Sequence, residues 1–246
     1  MNILMTNDDG IDSEGIQKLA GILRSGGKHK VFMIAPHINR SGISNAIALI
    51  NEPVKLSAAG ENTWSCSGYP ADCIIIALKG FLSEKPDLVI SGINRGPNLG
   101  TDVIYSGTAS AARQASLAGV PAIALSLAGK NPYYWDTAAA WSSDHLEELL
   151  AYWKEGSFLN VNIPNGPGYP EGVATASLAI KDYQDYITII DTPDGKQWCF
   201  MDGGEEIVVS DTGSDFFIVS RNYVSVSSIN NYPMVINERQ FERSQV

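Results

Sequence analysis

The chain has 246 residues, a formal net charge of -10, 44% hydrophobic and 18% charged residues, which suits one large α/β domain or a domain with an extension and excludes disorder. The acidic balance excludes a surface that embraces long nucleic acid, yet leaves room for a small phosphorylated substrate, because one metal ion reverses a local potential. Cys66, Cys73 and Cys199 are too few and scattered for a disulfide framework or a cysteine zinc site, so each is read as a buried small hydrophobe in a reducing compartment.

No basic segment followed by a long apolar one opens the sequence, and no apolar run approaches the ~20 residues that span a bilayer. A cytoplasmic chain without a membrane partner is expected.

Residues 3–5 are apolar and stop at Thr6, Asn7, Asp8 and Asp9, with Gly10 where the chain must turn. This reads as a buried strand ending in a loop that presents adjacent carboxylates. Adjacent acids repel, and a hard divalent metal is the simplest compensation. The other reading is an Asx-rich turn feeding a helix, where Asp is favoured as a cap and by the dipole.

Ile16, Leu19, Ala20 and Leu23 predict a helix from near Ser13 to before Gly26. Residues 30–35 form the next apolar run, stopped by Pro36, so strand, helix and strand open a parallel sheet. The polar loop 37–45 follows, at the edge where open α/β sheets bind ligands. It holds Ser41, and its His37 is the histidine best placed to assist; a plain surface loop is the other reading.

Segments 46–50, 54–58 and 63–67 read as short strands of a side sheet. Pro70 begins a helix through Asp72, Cys73, Ile76 and Leu78 that ends near Gly80. Residues 88–92 form another buried strand, and the glycines and proline of 93–100 set the backbone for special turns and close approach to a ligand. Tyr105-Ser106-Gly107-Thr108 precedes an alanine-rich helix over 109–117. Such a helix start is either an anion site or a routine N-cap.

Residues 122–126 give a further strand and 135–153 one long helix, with Leu146, Leu149, Leu150 and Trp153 on one face. Segment 158–163, closed by Pro164, is expected to be the last strand of the main sheet. Strands alternating with helices imply a doubly wound, mostly parallel α/β fold.

Beyond residue 168 the pattern turns β-rich, with strands over 173–180 and 186–190, Asp194-Gly195 as a hairpin signal before 197–200, and a polar tail over 237–246. Residues 1–168 are therefore expected to form the core with the site, and 169–246 a β-rich extension used for oligomerisation.

Four loops at one sheet edge carry complementary groups: Asp8 and Asp9, then Ser41, then Asn94 and Asn98, then Ser106, Gly107 and Thr108. Two carboxylates, a hydroxyl and an amide oxygen form an all-oxygen set that suits Mg²⁺ or Mn²⁺ with water completing the shell. The adjacent anion site would hold a phosphate, with metal-activated water attacking phosphorus. No Ser/His/Asp or Cys/His arrangement offers a protein nucleophile, although direct attack by Asp8 or Asp9 stays open.

Asn7-Asp8-Asp9-Gly10, Asn39-Arg40-Ser41-Gly42, Ser91-Gly92-Ile93-Asn94 with Gly96-Pro97-Asn98-Leu99-Gly100, and Tyr105-Ser106-Gly107-Thr108 together resemble the SurE family of metal-dependent 5′-nucleotidases. Pro86-Asp87-Leu88-Val89, Pro70-Ala71-Asp72-Cys73, Gly213-Ser214-Asp215-Phe216 and Tyr223-Val224-Ser225 add to the resemblance, which spans essentially the whole chain. It implies a Rossmann-like core and a C-terminal arm reaching between subunits of a dimer or tetramer. It also implies hydrolysis of nucleoside 5′-monophosphates, with 3′-nucleotidase and exopolyphosphatase side activities and one divalent metal ion per subunit.

Carried onto this chain, the resemblance makes Asp8, Asp9, Ser41 and Asn94 the metal ligands, Asp8 and Asp9 the catalytic pair, and Asn98 and Ser106 to Thr108 the phosphate residues. The chain departs from the family pattern at Ser13-Glu14 (usually Ala-Pro), Tyr69 (usually Thr), Gln114-Ala115 (usually Glu-Gly) and Asn222 (usually Gly). The alternatives are a phospho-acceptor receiver domain and a nucleotide-binding module without hydrolase activity.

Overall fold

The structure, a computed structural model, describes residues 1–233; the polar tail predicted over 237–246 lies outside the described residues. In chain order it runs β1 (Asn2–Thr6), α1 (Glu14–Ser25), β2 (Lys30–Pro36), β3 (Leu56–Gly60), β4 (Thr63–Cys66), α2 (Pro70–Ile76), β5 (Leu88–Arg95), α3 (Gly107–Leu117), β6 (Ala122–Ala128), α4 (Trp135–Asp144), α5 (Leu146–Tyr152) and β7 (Ser157–Pro164). Then come β8 (Gly172–Thr175), β9 (Ile180–Tyr183), β10 (Tyr186–Asp191), β11 (Gln197–Asp202), β12 (Glu206–Val209), α6 (Asp215–Ser220) and β13 (Tyr223–Asn230).

The main sheet has the order β3-β4-β2-β1-β5-β6-β7-β13-β8 and is parallel except where β3 meets β4 and β13 meets β7. Its central strands are apolar at nearly every position because both faces are covered, as in a doubly wound sheet. Leu4, Phe32, Ile34 and Val89 point to the face packed by α2 and α3, while Ile3, Met5, Met33 and Ile90 point to the face packed by α1 and α4. The period of two along each strand sorts these side chains into two cores.

Several expectations are corrected. Residues 48–50 form a 3-10 turn, and β3 and β4 extend the main sheet because β4 pairs with β2 in parallel, leaving no side sheet there. The predicted helix over 135–153 is two helices, since His145 takes φ -104 and ψ 11 between them. Residues 158–163 do not end the sheet: β13 pairs with β7, burying Val224 and Val226 against the same core, and β8 follows. The helix α6 gave no sequence signal because its six residues are too short for a periodicity.

The segment after residue 168 thus divides its strands. β8 and β13 join the main sheet, whereas β9 pairs with β12 and β10 with β11 in separate antiparallel pairs. Cys199 is exposed on β11, contrary to expectation, because that strand packs against no core, while Cys66 and Cys73 are buried as expected. Among the described residues no helix is long and apolar enough to cross a membrane.

Candidate active site

The order β2-β1-β5 makes β1 a topological switch: the chain crosses to β2 on one side and later returns to β5 on the other. Loops leaving the carboxyl ends of such strands part and open a crevice. Asp8 and Asp9 follow β1, the Asn39–Gly42 loop follows β2, and Asn94 lies at the end of β5.

Asn7 builds the turn after β1. Its Nδ2 donates to Gly10 O at 2.9 Å and to Ser13 Oγ at 2.6 Å, and its Oδ1 accepts from Gly10 N at 3.2 Å. Ser13 is therefore part of the turn. Two neighbouring loops are tied to the acids: Arg40 N donates to Asp8 O at 2.7 Å, and Arg95 N donates to Asp9 Oδ2 at 2.8 Å.

The end of β5 is bulged, its register with β6 shifting between Ser91 and Asn94. Gly92, at φ +133, approaches so closely that a Cβ would lie 2.2 Å from Leu125 O, so no larger residue fits this irregularity. Asn94 Nδ2 donates to Gly96 O at 3.0 Å, and no donor among the described residues reaches its Oδ1.

The start of α3 packs directly on Asp8. The Thr108 hydroxyl donates to Asp8 Oδ1, and a Cβ on Gly107 would lie 2.8 Å from the Asp8 Cβ and 2.9 Å from its Oδ2. Ser106 is the N-cap, its Oγ accepting from Ala109 N at 3.0 Å, so the routine-cap reading holds for that oxygen. Its own hydroxyl proton is not consumed by the cap.

Electrostatics follow from burial. Asp8 is 4% exposed, and burial pushes its carboxyl up to about 6 against the hydrogen bond from Thr108, with the charge of Asp9 adding to the rise. Burial also raises the Asp9 carboxyl, opposed by the Arg95 N–H and guanidinium. Neither acid forms a salt bridge among the described residues.

A cavity of about 1020 Å³ is lined by Asp8, Ser41, Asn94, Asn98 and Ser106, among others. Five predicted residues from four loops thus share one space. Asp9, Gly107 and Thr108 are not among its lining residues; Asp9 holds Arg95 N, and the other two touch Asp8. His37 is not a cavity residue either, and its Nδ1 lies 3.0 Å from Cys66 O.

Sequence reasoning missed the supports of Asn98. Its N–H donates to Asn162 Oδ1 at 2.8 Å and its Nδ2 to Ser126 Oγ at 2.8 Å, while its carbonyl accepts from Asn160 at 2.9 Å and Asn162 at 3.0 Å. Two alternate asparagines inside the otherwise apolar strand β7 were the available signal. It also missed the cavity wall of Asp102, which lies between two predicted site residues, with Lys181, Tyr183 and Glu206 from far down the chain.

The family model described as "Survival protein SurE" matches residues 3–185. The chain belongs to the SurE family. A protein named 5′-nucleotidase SurE from Thermosipho melanesiensis is 39% identical, over 99% of this chain and 96% of that protein. One of the same name from Geobacter sulfurreducens is 39% identical, over 93% of this chain and 87% of its own length. The crystal structure of the SurE protein from Aquifex aeolicus superposes with a TM-score of 0.82 at 32% identity, covering 95% of both chains. A receiver domain needs an acceptor Asp at this strand end, where this SurE-family chain has Ser91 and Asn94 in β5.

Proposed function

We propose that this chain is a divalent-metal-dependent 5′-nucleotidase, a phosphomonoesterase that releases phosphate from nucleoside 5′-monophosphates. The observation that carries the reading is Asp8, a buried carboxylate without a salt bridge among the described residues, set against the first turn of α3 in a cavity shared with Ser41 and Asn94. The name shared by the curated relatives supports the substrate class.

The donor set fits a hard cation. No group of three or more His, Cys, Asp or Glu side chains among the described residues could hold a metal. The proposed ligands are therefore Asp8, Ser41 and Asn94 on the cavity wall, with Asp9 adding the oxygen that Arg95 N does not engage. Such a set suits one Mg²⁺ or Mn²⁺ ion per subunit that keeps several waters. When bound, that ion supplies positive charge for the phosphoryl oxygens and acidifies the attacking water.

The chain's own groups do the rest. Ser106 keeps a hydroxyl proton after capping α3, and Asn98 Nδ2 keeps a second N–H after reaching Ser126, so both can donate to a phosphate. The positive end of α3 and the Gly107 and Thr108 N–H groups favour the same anion. Water oxygen bonds to phosphorus as the water gives up one proton, the bond from phosphorus to O5′ breaks, and the departing nucleoside oxygen takes up that proton, leaving nucleoside and inorganic phosphate.

The same phosphate site supports weaker hydrolysis of 3′-monophosphates and short polyphosphates. Phosphate release measured across 5′-AMP, 5′-GMP, 3′-AMP and tripolyphosphate should be greatest for the 5′-nucleotides and stop on chelation. Metal-independent release, or binding of nucleotide without hydrolysis, contradicts this reading.

We also infer a cytoplasmic homo-oligomer, dimer or tetramer. Tyr186, Ile187, Ile189 and Ile190 on β10 and Trp198, Phe200 and Met201 on β11 are all exposed. Neighbouring strand residues face opposite ways, so both faces of this hairpin are apolar, and a second copy of the chain is the occupant that supplies matching surface.

A further inference from the structure

The 3-10 turn Gly100–Ile104 links Asn98 to Ser106, and the C-terminal part of the chain grips it at several points. Gly100 N donates to Asp215 Oδ2 at 2.7 Å, while Asp215 Oδ1 accepts from Ala179 N at 2.9 Å and Phe216 N at 2.8 Å. A Cβ on Gly100 would lie 2.3 Å from Ala179 O, so the turn and the segment entering β9 are in direct backbone contact. Thr101 Oγ1 accepts from Lys181 N at 2.9 Å, and Asp102 accepts from Lys181 Nζ at 2.7 Å and from the Tyr183 hydroxyl.

Lys181 is the centre of this grip. Its side chain is 6% exposed, and its ammonium reaches Asp102, Glu206 at 2.6 Å and Tyr183 Oη at 3.0 Å. An ammonium has three protons, so all are engaged and none is left for a substrate. Its effect on the site must run through Asp102. That residue's carbonyl accepts from Tyr105 N at 3.0 Å and Ser106 N at 3.1 Å, one step from the cap of α3.

We propose that Lys181 and Asp215 are positioning residues for the phosphate site: by clamping the Gly100–Ile104 turn they fix Ser106 relative to Asn98, so the β9–β12 pair sets how tightly phosphate is held. Asn98 has its own buried network, so the clamp acts at the Ser106 end. Removing the Lys181 charge leaves Asp102 and Glu206 facing each other uncompensated at the cavity wall, which pushes the turn outward. The proposal rests on the nucleotidase reading above.

The test is Lys181→Met beside Lys181→Arg in the full chain, read by kinetics with 5′-AMP and Mn²⁺, inhibition by inorganic phosphate, Mn²⁺ affinity, and amide exchange over residues 100–108. Lys181→Met should raise the KM for 5′-AMP and the Ki for phosphate together by about tenfold, with a smaller fall in kcat. Exchange at Tyr105 and Ser106 should quicken, Mn²⁺ affinity should hold, and Lys181→Arg should recover most of the loss.

Unchanged KM, Ki and exchange in a folded Lys181→Met protein would overturn the proposal, as would a parallel loss of Mn²⁺ affinity. Should Lys181→Met not fold, Tyr183→Phe removes the hydroxyl that donates to Asp102 and accepts from Lys181, and must shift the same readouts the same way. A wild-type protein that releases no phosphate sinks the nucleotidase reading, whereas the exchange comparison still decides the clamp.

Discussion

The Thr108 hydroxyl donates to Asp8 Oδ1 although the two residues stand 100 apart in the chain. The bond joins the exit of β1 to the start of α3 and gives a buried carboxylate one of its few donors. Thr108→Val keeps the shape and removes the donor. It should cost about 1.5–3 kcal/mol of metal-free stability, and lower kcat/KM by roughly ten- to a hundredfold as Asp8 loses its orientation. Denaturant unfolding with chelator present, beside steady-state kinetics, checks both.

The pH dependence of Asp8 gives a second prediction. In the metal-free protein its carboxyl is pushed from 3.8 up to about 6 by burial, so the folded state holds this proton more tightly than the unfolded chain. Its contribution to stability is therefore fully favourable below the unfolded value and is lost as pH rises through the folded one, by roughly 3 kcal/mol. Metal-free Asp8→Asn should then be more stable than the parent near neutral pH, by up to about that amount, with the advantage shrinking towards pH ~4. A variant less stable than the parent at neutral pH would show that Asp8 serves mainly as a cap.

Gly107 is limited by space, not by backbone conformation, because a Cβ would press on Asp8 Cβ, Asp8 Oδ2 and, at 3.1 Å, Ile43 Cγ2. Gly107→Ala should cost about 1–3 kcal/mol and weaken metal binding by displacing the carboxylate. Calorimetric titration with Mn²⁺ measures the second effect, and unchanged affinity would show that the Asp8 position tolerates the shift.

Asn222 takes φ +64, a left-handed conformation that asparagine tolerates better than most other side chains. Its carbonyl accepts from Glu171 N at 2.9 Å, fixing the approach to β8. Thermal unfolding of Asn222→Gly should match the parent closely, while Asn222→Val should lose about 1–2 kcal/mol. Equal stability of the two variants would remove the conformational argument.

The apolar hairpin yields a prediction about assembly. Trp198→Glu with Ile189→Glu places charge on both exposed strands and should shift the protein to a smaller species in light scattering. An unchanged mass would show that the hairpin is not the contact.

The sheet and the site loops were legible in the sequence for a common reason. Apolar runs such as those of β1 and β5 end abruptly in polar, glycine-bearing exits, and open parallel sheets gather such exits at one edge. The pair Asp8 and Asp9 stood out because adjacent carboxylates cost energy without a partner. What escaped was carried by contacts distant in sequence. β13 enters the sheet through pairing with β7, and nothing in residues 223–230 names that partner. Asn160 and Asn162 have their partner, the main chain of Asn98, more than sixty residues upstream, so the strand alone does not explain them. Nothing local in the sequence marks Lys181, and only the fold brings Asp102 and Glu206 to it.

Phosphate release from 5′-AMP by chelated, then Mn²⁺-restored protein, with Asp8→Asn run in parallel, tests the central claim most directly. The wild-type chain should be silent when chelated and recover on Mn²⁺ addition, while folded Asp8→Asn stays at least about a hundredfold slower at every metal concentration. Equal turnover by wild-type protein with and without metal, or full activity in Asp8→Asn, would contradict a cation held by Asp8 as the basis of the reaction.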